Sequence, residues 1–505
     1  FREDNGPLSH PVRPESFVEI NNFYTATVYE KGAEVIGMLK TLVGDAGYKK
    51  ALDLYFERHD GDAATIEDWL KVFEDATGRD LTQFKRWYSQ AGTPHLTVTD
   101  DFKNGTYSLT IKQKTKPTPD QPTKQPQVIP VAVGLLNPNG DEVVPTTILE
   151  LTKDQQTFTF DNLASRPIPS ILRGFSAPVI VNRDTSAEER AFLLAHDTDP
   201  FNKWEAGRAL AKDVLSGMIT DGKAPAPAFL DAIARVAVND SLDPAFRSLA
   251  LALPSEDDMA QTLYDAGTTP DPVIIHDKRE ALLNAMANHL ERDLPVLYDQ
   301  MAVPGPYSPD AAVAGKRDLR STVLALMTRL DGGQTAKALF DTADNMTEQV
   351  AALAQLIPTP HGPDAVQKFY NQWQADRLVM DKWFMIQPAR ANPEDALKVT
   401  KALEAHTDFN SKNPNRLRAL IYGLASGNPA AFHQPDGAAY TWFADWIIRI
   451  DPANPQVAAR AAGTFDAWRR YDADRQQMIR TELERIKATP NLSRDTTEMV
   501  TRILG

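Results

Sequence analysis

The sequence predicts a multidomain, mainly α-helical protein: a helical block, then a β-sandwich, then an irregular α-helical solenoid. Three observations predict it. At 505 residues the chain is too long for one hydrophobic core, because single cores stop growing at about 250 to 300 residues. Apolar residues recur at three- and four-residue spacings from Thr27 to Gly92 and again beyond Ser186. Between those stretches they alternate with polar ones. The first pattern is that of a helix with one buried stripe, and the second that of a half-buried strand.

Phe1 to Arg13 contains Gly6, Pro7 and Pro11, with Pro14 just beyond, and reads as an extended connection. His10 and Arg13 are its polar candidates, with a structural role the simpler expectation. From Thr27 onward, Val28, Ala33, Val35, Ile36, Leu39, Leu42 and Val43 give one apolar helix stripe. Tyr29 therefore falls in or near the first turn. A phenol there is unionised at neutral pH and can donate one hydrogen bond into a cleft, where it stabilises a developing oxyanion. The plainer alternative makes Tyr24 and Tyr29 core-edge residues with their hydroxyls in water. Thr65-Ile66-Glu67-Asp68 has the form of a capping box, and Ile66, Trp69, Leu70, Val72 and Phe73 follow at helical spacing until Gly78. Phe84, Trp87 and Tyr88 make an aromatic face expected in the core.

A break falls at Gly92-Thr93-Pro94. Beyond it Leu96 and Val98, then Tyr107, Leu109 and Ile111, alternate with polar residues, and Asn104-Gly105 between them signals a two-residue hairpin. Further strands are expected at Val128–Leu136, Thr146–Leu151, Thr157–Phe160 and Ile168–Phe175, and a loop of low intrinsic order at Lys114–Gln127. Their number and spacing suggest a sandwich of roughly ninety residues. Asp100, Asp101 and Asp120 read as turn residues, and the sandwich as a spacer.

Ser186-Ala187-Glu188-Glu189 reads as a second capping box and opens an almost wholly helical remainder. Pro or Asp-Pro repeatedly marks a helix start, as at Pro227, Pro393, Pro414 and Pro455. Consecutive helices on short loops suggest stacked pairs whose curved inner face can enclose or bind. His433, alone after an apolar run, is expected to be packed or hydrogen-bonded.

Composition excludes several functions. A net charge of −14 argues against a general nucleic-acid surface. No apolar run reaches the ~18 to 20 residues of a membrane helix, and the first residues lack the grammar of a secretory leader. With no cysteine, disulfides, thiolate metal sites and cysteine nucleophiles are out. The nine histidines are never paired at the i, i+4 spacing that presents two imidazoles to one metal.

The run NNFYTATVYEKGAEVI at residues 21–36, with SHPVRPESFVEI before it and LYFERHDGDAAT, FKRWYSQAGTP and NPAAFH after it, resembles the bacterial aminopeptidase N branch of the M1 zinc aminopeptidases. The resemblance runs to the last helix. It implies that Tyr29, in the VYEKG-like motif, hydrogen-bonds the scissile carbonyl oxygen, and that Tyr24 is a second active-site aromatic. Arg418 and Arg460 resemble cavity-facing positions where an arginine holds a peptide carboxylate. The family's H-E-x-x-H helix, the glutamate of the helix after it and its G-x-M-E-N-type loop do not occur here.

The resemblance therefore makes this chain the carboxyl-terminal part of a zinc-dependent aminopeptidase. Residues 1–92 would be the last helices of a thermolysin-like catalytic domain, 93–184 the sandwich and 185–505 the superhelical domain. Zinc is expected in the complete enzyme and none on this chain, which alone is expected to be inactive. The expected partners are peptide substrates and the missing amino-terminal part, with no nucleic acid and no membrane. A cytoplasmic location is the expectation, although the lack of cysteine does not choose a compartment. The competing reading is a non-catalytic substrate-gating or interaction scaffold.

Overall fold

The structure is a computed structural model describing residues 1–505. It divides into two compact units, Phe1–Ala206 with Thr501–Ile503 and Gly505, and Gly207–Val500 with Leu504.

The first unit opens on an irregular segment and a short 3-10 turn, Ile20–Phe23. A single π-helical turn, Thr27–Lys31, then leads into α1, Gly32–His59, which is broken at Gly44 where φ is 72°. Of the expected stripe Val35 and Leu39 are buried, joined by Met38, whereas Ala33 and Ile36 are exposed. α2, Ile66–Thr77, begins where the sequence places it: Thr65 accepts from the Asp68 N–H and Asp68 reciprocates. It ends at Gly78, whose left-handed backbone lets its N–H reach the Glu74 carbonyl. Between the two helices Trp69 meets Tyr55 edge-on and Phe73 at a tilt, with centroids 5.2 and 4.7 Å apart. Trp87 is fully buried and donates to the Val128 carbonyl at 2.7 Å, tying the helices to the strands that follow.

Seven strands follow: β1 Pro94–Lys103, β2 Thr106–Thr115, β3 Ile129–Leu136, β4 Glu142–Leu151, β5 Gln155–Phe160, β6 Ile168–Ile171 and β7 Ile180–Asn182. They form a four-stranded sheet ordered β5-β2-β1-β7 and a three-stranded sheet ordered β4-β3-β6. The hairpin at Asn104-Gly105 has positive φ at both residues, as its tight turn requires. β3 is buried along its whole length. Asp100 and Asp101 lie inside β1 and not in a turn; Asp100 faces Arg166 and Arg183. β7 pairs parallel to β1, a contact spanning the whole sandwich and invisible to local periodicity. The strand expected to Phe175 stops at Ile171 because Leu172, Gly174 and Phe175 take positive φ. The loop after β2 is pinned: Lys124 Nζ donates to the Ala91 carbonyl, Thr118 and Gln121, and the Gln113 side chain donates to the Gln127 carbonyl and accepts from the Gln127 N–H.

The second unit is helical throughout. Proline at the first turn and an Asp or Asn cap start the helices Pro244–Leu251, Pro272–His289, Pro414–Ala425 and Pro455–Ala462. Pro272–His289 is followed after a short turn by Leu294–Gln300, which has Pro295 in its first turn. Pro272–His289 packs on Ala311–Asp331, which packs on Met346–Leu356, which packs on Arg377–Arg390. The chain then curls back, setting Pro429–Phe432 against Pro272–His289. Gly423 marks a close crossing: a Cβ there would lie 2.6 Å from the Met385 carbonyl oxygen. No helix is long and apolar enough to cross a membrane.

Candidate functional site

The π turn exposes Tyr29 and Glu30 while burying Thr27 and Lys31. Single π turns inside helices recur at functional sites. Here the amino-terminal segment clamps both ends. At the front, Glu3 Oε1 accepts from Thr27 N at 2.7 Å and from Thr27 Oγ1 at 2.5 Å. At the back, Lys31 Nζ donates to Asp4 Oδ2 at 2.8 Å and to the Gly92 carbonyl at 3.0 Å, with the Trp87 ring 5.9 Å away. Burial lowers the Lys31 pKa, and Asp4 works against that fall. Asp4 is itself held by Gly92 N and Thr93 Oγ1.

His10 completes the clamp. Its Nδ1 lies 2.7 Å from the Pro11 carbonyl, which only accepts, so Nδ1 carries a proton. In the neutral ring Nε2 then accepts from Thr25 Oγ1 at 2.9 Å, and that oxygen accepts from Val28 N at 3.2 Å. Arg13 pairs with Glu67 and donates its N–H to the Tyr88 carbonyl. Hydrogen bonds from Arg13 and Lys85 hold the Glu67 carboxyl down to about 2.

Tyr29 and Tyr24 stand on this platform, 60% and 56% exposed. Their rings stack at 6.3 Å and 30°, and Phe23 meets Tyr24 edge-on. Neither hydroxyl has a partner within the chain, so both donate freely to an incoming group. One turn on, burial and the Glu30 charge raise the Glu34 pKa.

Arg418 and Arg460 lie in the second unit and converge on Tyr422. Arg418 is held by the Pro414 carbonyl and Asn415 Oδ1; Arg460 is exposed and unpaired. Burial raises the Tyr422 pKa, while both arginines oppose the rise; the hydroxyl is buried without a partner. Neighbouring Arg416 is structural, buried against Asp381 and the Asp408 carbonyl. His433 is buried with Nδ1 2.7 Å from the Tyr440 hydroxyl, as a packed histidine should be. Sequence reasoning missed Glu3, Asp4 and Tyr422. Only Tyr422 carried a signal, its i+4 relation to Arg418.

No group of three or more His, Asp or Glu side chains is placed to hold a metal ion. The donors of this chain therefore do not fit a zinc centre of its own.

The chain matches the "Peptidase family M1 domain" over residues 1–88, an Ig-like "Domain of unknown function (DUF3458)" over 92–184 and its ARM-repeat companion, "DUF3458_C", over 187–505. It is 44% identical to aminopeptidase N of Caulobacter vibrioides over 100% of this chain and 59% of the relative, and 39% identical to aminopeptidase N of Escherichia coli over 100% and 60%. The crystal structure of Legionella pneumophila aminopeptidase A in complex with aspartic acid superposes with a TM-score of 0.89 at 29% identity, covering 98% of this chain and 58% of that one. The chain thus spans about six-tenths of the length of the curated relatives it matches. The platform under Tyr29 falls in the part shared with the peptidase domain, and the Tyr422 cluster in the part shared with the ARM-repeat domain. With homology that extends over its whole length, the chain belongs to the M1 peptidase family, alongside the bacterial aminopeptidase N proteins.

Proposed function

We propose that this chain serves a zinc-dependent aminopeptidase that removes amino-terminal residues from peptides, and that Tyr29 is its transition-state hydrogen-bond donor. The observation that carries the reading is the exposed, unpartnered Tyr29 hydroxyl on a turn clamped at both ends. A phenol that meets the carbonyl oxygen as it turns anionic stabilises the transition state more than the bound peptide. Preorganisation matters because a donor already held in place costs no reorganisation during the reaction. Zinc would be a cofactor of the complete enzyme, held by ligands outside these residues, where it would supply Lewis-acid chemistry. Tyr24, stacked on Tyr29, would border the peptide. Arg418 and Arg460, around Tyr422, would hold a peptide carboxylate. Steady-state kinetics of Tyr29→Phe in the complete enzyme test the central assignment. A scaffold without catalysis predicts no change in kcat.

A further inference from the structure

We propose that the helical unit carries a binding site for a free basic α-amino acid, with Arg475 taking its carboxylate and the surrounding aspartates its ammonium groups. The site is a cavity of about 460 Å³ lined by Asp271, Asp472, Asp474 and Arg475, with Pro270 and Met478 among its apolar walls. That volume falls in the range of small-molecule sites.

Three segments far apart in the chain build it. Asp271 caps Pro272–His289, accepting from Val273 N at 2.9 Å and Ile274 N at 3.3 Å. Asp472 caps Ala473–Lys487, accepting from Arg475 N at 3.0 Å. Both carboxylates are thereby fixed where their helices start. The third segment turns at Gly437, where φ is 66° and a Cβ would lie 2.4 Å from Met478 Sδ. Glycine there lets Met478 seat against the backbone as a wall of the cavity.

Arg475 is the group that the chain leaves incomplete. It is only 5% exposed, yet it lines the cavity. Its Nε donates to the His433 carbonyl at 2.8 Å, and its Nη1 lies 2.6 Å from Asp472 Oδ2 and 3.4 Å from Asp271 Oδ2. Nη2 is buried with no acceptor. Buried donors are paired in the great majority of cases, and an unpaired one is costly, so an acceptor entering the cavity supplies what the chain does not. The acids have the opposite shortage. Asp474 is exposed without a partner in the chain, and three carboxylates meet a single guanidinium. A ligand that completes both sides carries an oxygen acceptor beside cationic donors. A free α-amino acid has its carboxylate and its ammonium on one carbon, and a planar carboxylate matches a guanidinium. A second ammonium on an aliphatic stem, as in lysine, suits the excess of carboxylates and the walls of Pro270 and Met478. The site does not depend on the role given to Tyr29.

Calorimetric titration of the full chain with L-lysine, with 1,5-diaminopentane, which lacks the carboxylate, and with Nα-acetyl-L-lysine, which lacks the α-ammonium, tests the proposal. L-lysine should bind saturably, and each of the other two at least roughly tenfold more weakly. Asp474→Asn removes an exposed charge that no partner in the chain uses, so it should keep the melting temperature and weaken L-lysine by roughly tenfold. Absence of saturable L-lysine binding overturns the proposal, as does equal binding by wild type and Asp474→Asn. Diaminopentane binding as tightly as L-lysine also overturns it, since that marks a plain cation pocket with no use for Arg475, and equal binding of Nα-acetyl-L-lysine removes the α-ammonium contact on which it rests.

Discussion

The Lys31 ammonium lies 2.8 Å from the Asp4 carboxylate, both side chains are only 7% exposed, and the pair joins the first residues of the chain to the turn that presents Tyr29. Removing one member leaves the other charge buried and unpaired. Lys31→Met should therefore cost about 3 to 5 kcal/mol of stability. Urea unfolding of the full chain measures it, and a loss below about 1 kcal/mol would place the pair with surface ion pairs instead.

Tyr29→Phe in the complete enzyme should lower kcat by roughly 10² to 10³, about 2.7 to 4 kcal/mol, with little change in KM. Only an exposed oxygen is lost, so the melting temperature should hold. Tyr24→Phe should be milder, because no charge-stabilising role falls to it. A Tyr29→Phe enzyme with wild-type kcat on an aminoacyl chromogenic substrate, at equal zinc content, would take the donor role away from Tyr29.

Lys124 gives a pH test. Desolvation and then repulsion by Lys31, with Asp4 opposing, bring its pKa down to about 8 from 10.5. Between those values the unfolded chain binds the proton and the folded chain does not, so folding gains stability as pH rises through the window. The gain is absent below the folded pKa. Relative to Lys124→Met, the wild type should grow more stable between pH 8 and pH 10. A difference that stays flat with pH in paired denaturation curves would contradict the shift.

Two glycines should respond oppositely to alanine. At Gly134 a Cβ would sit 2.1 Å from Arg173 Cζ, displacing a buried guanidinium from Asp197, Glu142 and Ser170. Gly134→Ala should cost about 3 kcal/mol or more, as a broken buried ion-pair network does. Gly37 lies in α1 with nothing within 4 Å of its would-be Cβ. There alanine should stabilise by about 0.5 to 1 kcal/mol. Thermal melts of the two variants compare them directly.

What the sequence determined by itself was the kind of each element and much of its extent. The helices at Ile66, Pro227 and Pro414, the Asn104-Gly105 hairpin and the buried Trp87 follow from caps, turn residues and apolar spacing, all read within a few residues. The motif around Tyr29 was legible for the same reason. Only the tertiary structure decided that the turn beneath Tyr29 is π-helical and clamped, since Glu3 meets Thr27 across 24 positions and Asp4 meets Thr93 across 89. Likewise, β7 beside β1, Asp100 inside a strand among arginines, and Arg460 beside Tyr422 depend on segments far apart in the chain. Periodicity records which face of an element is buried but carries no information about which distant residue covers it, and the clamp is made of such distant contacts.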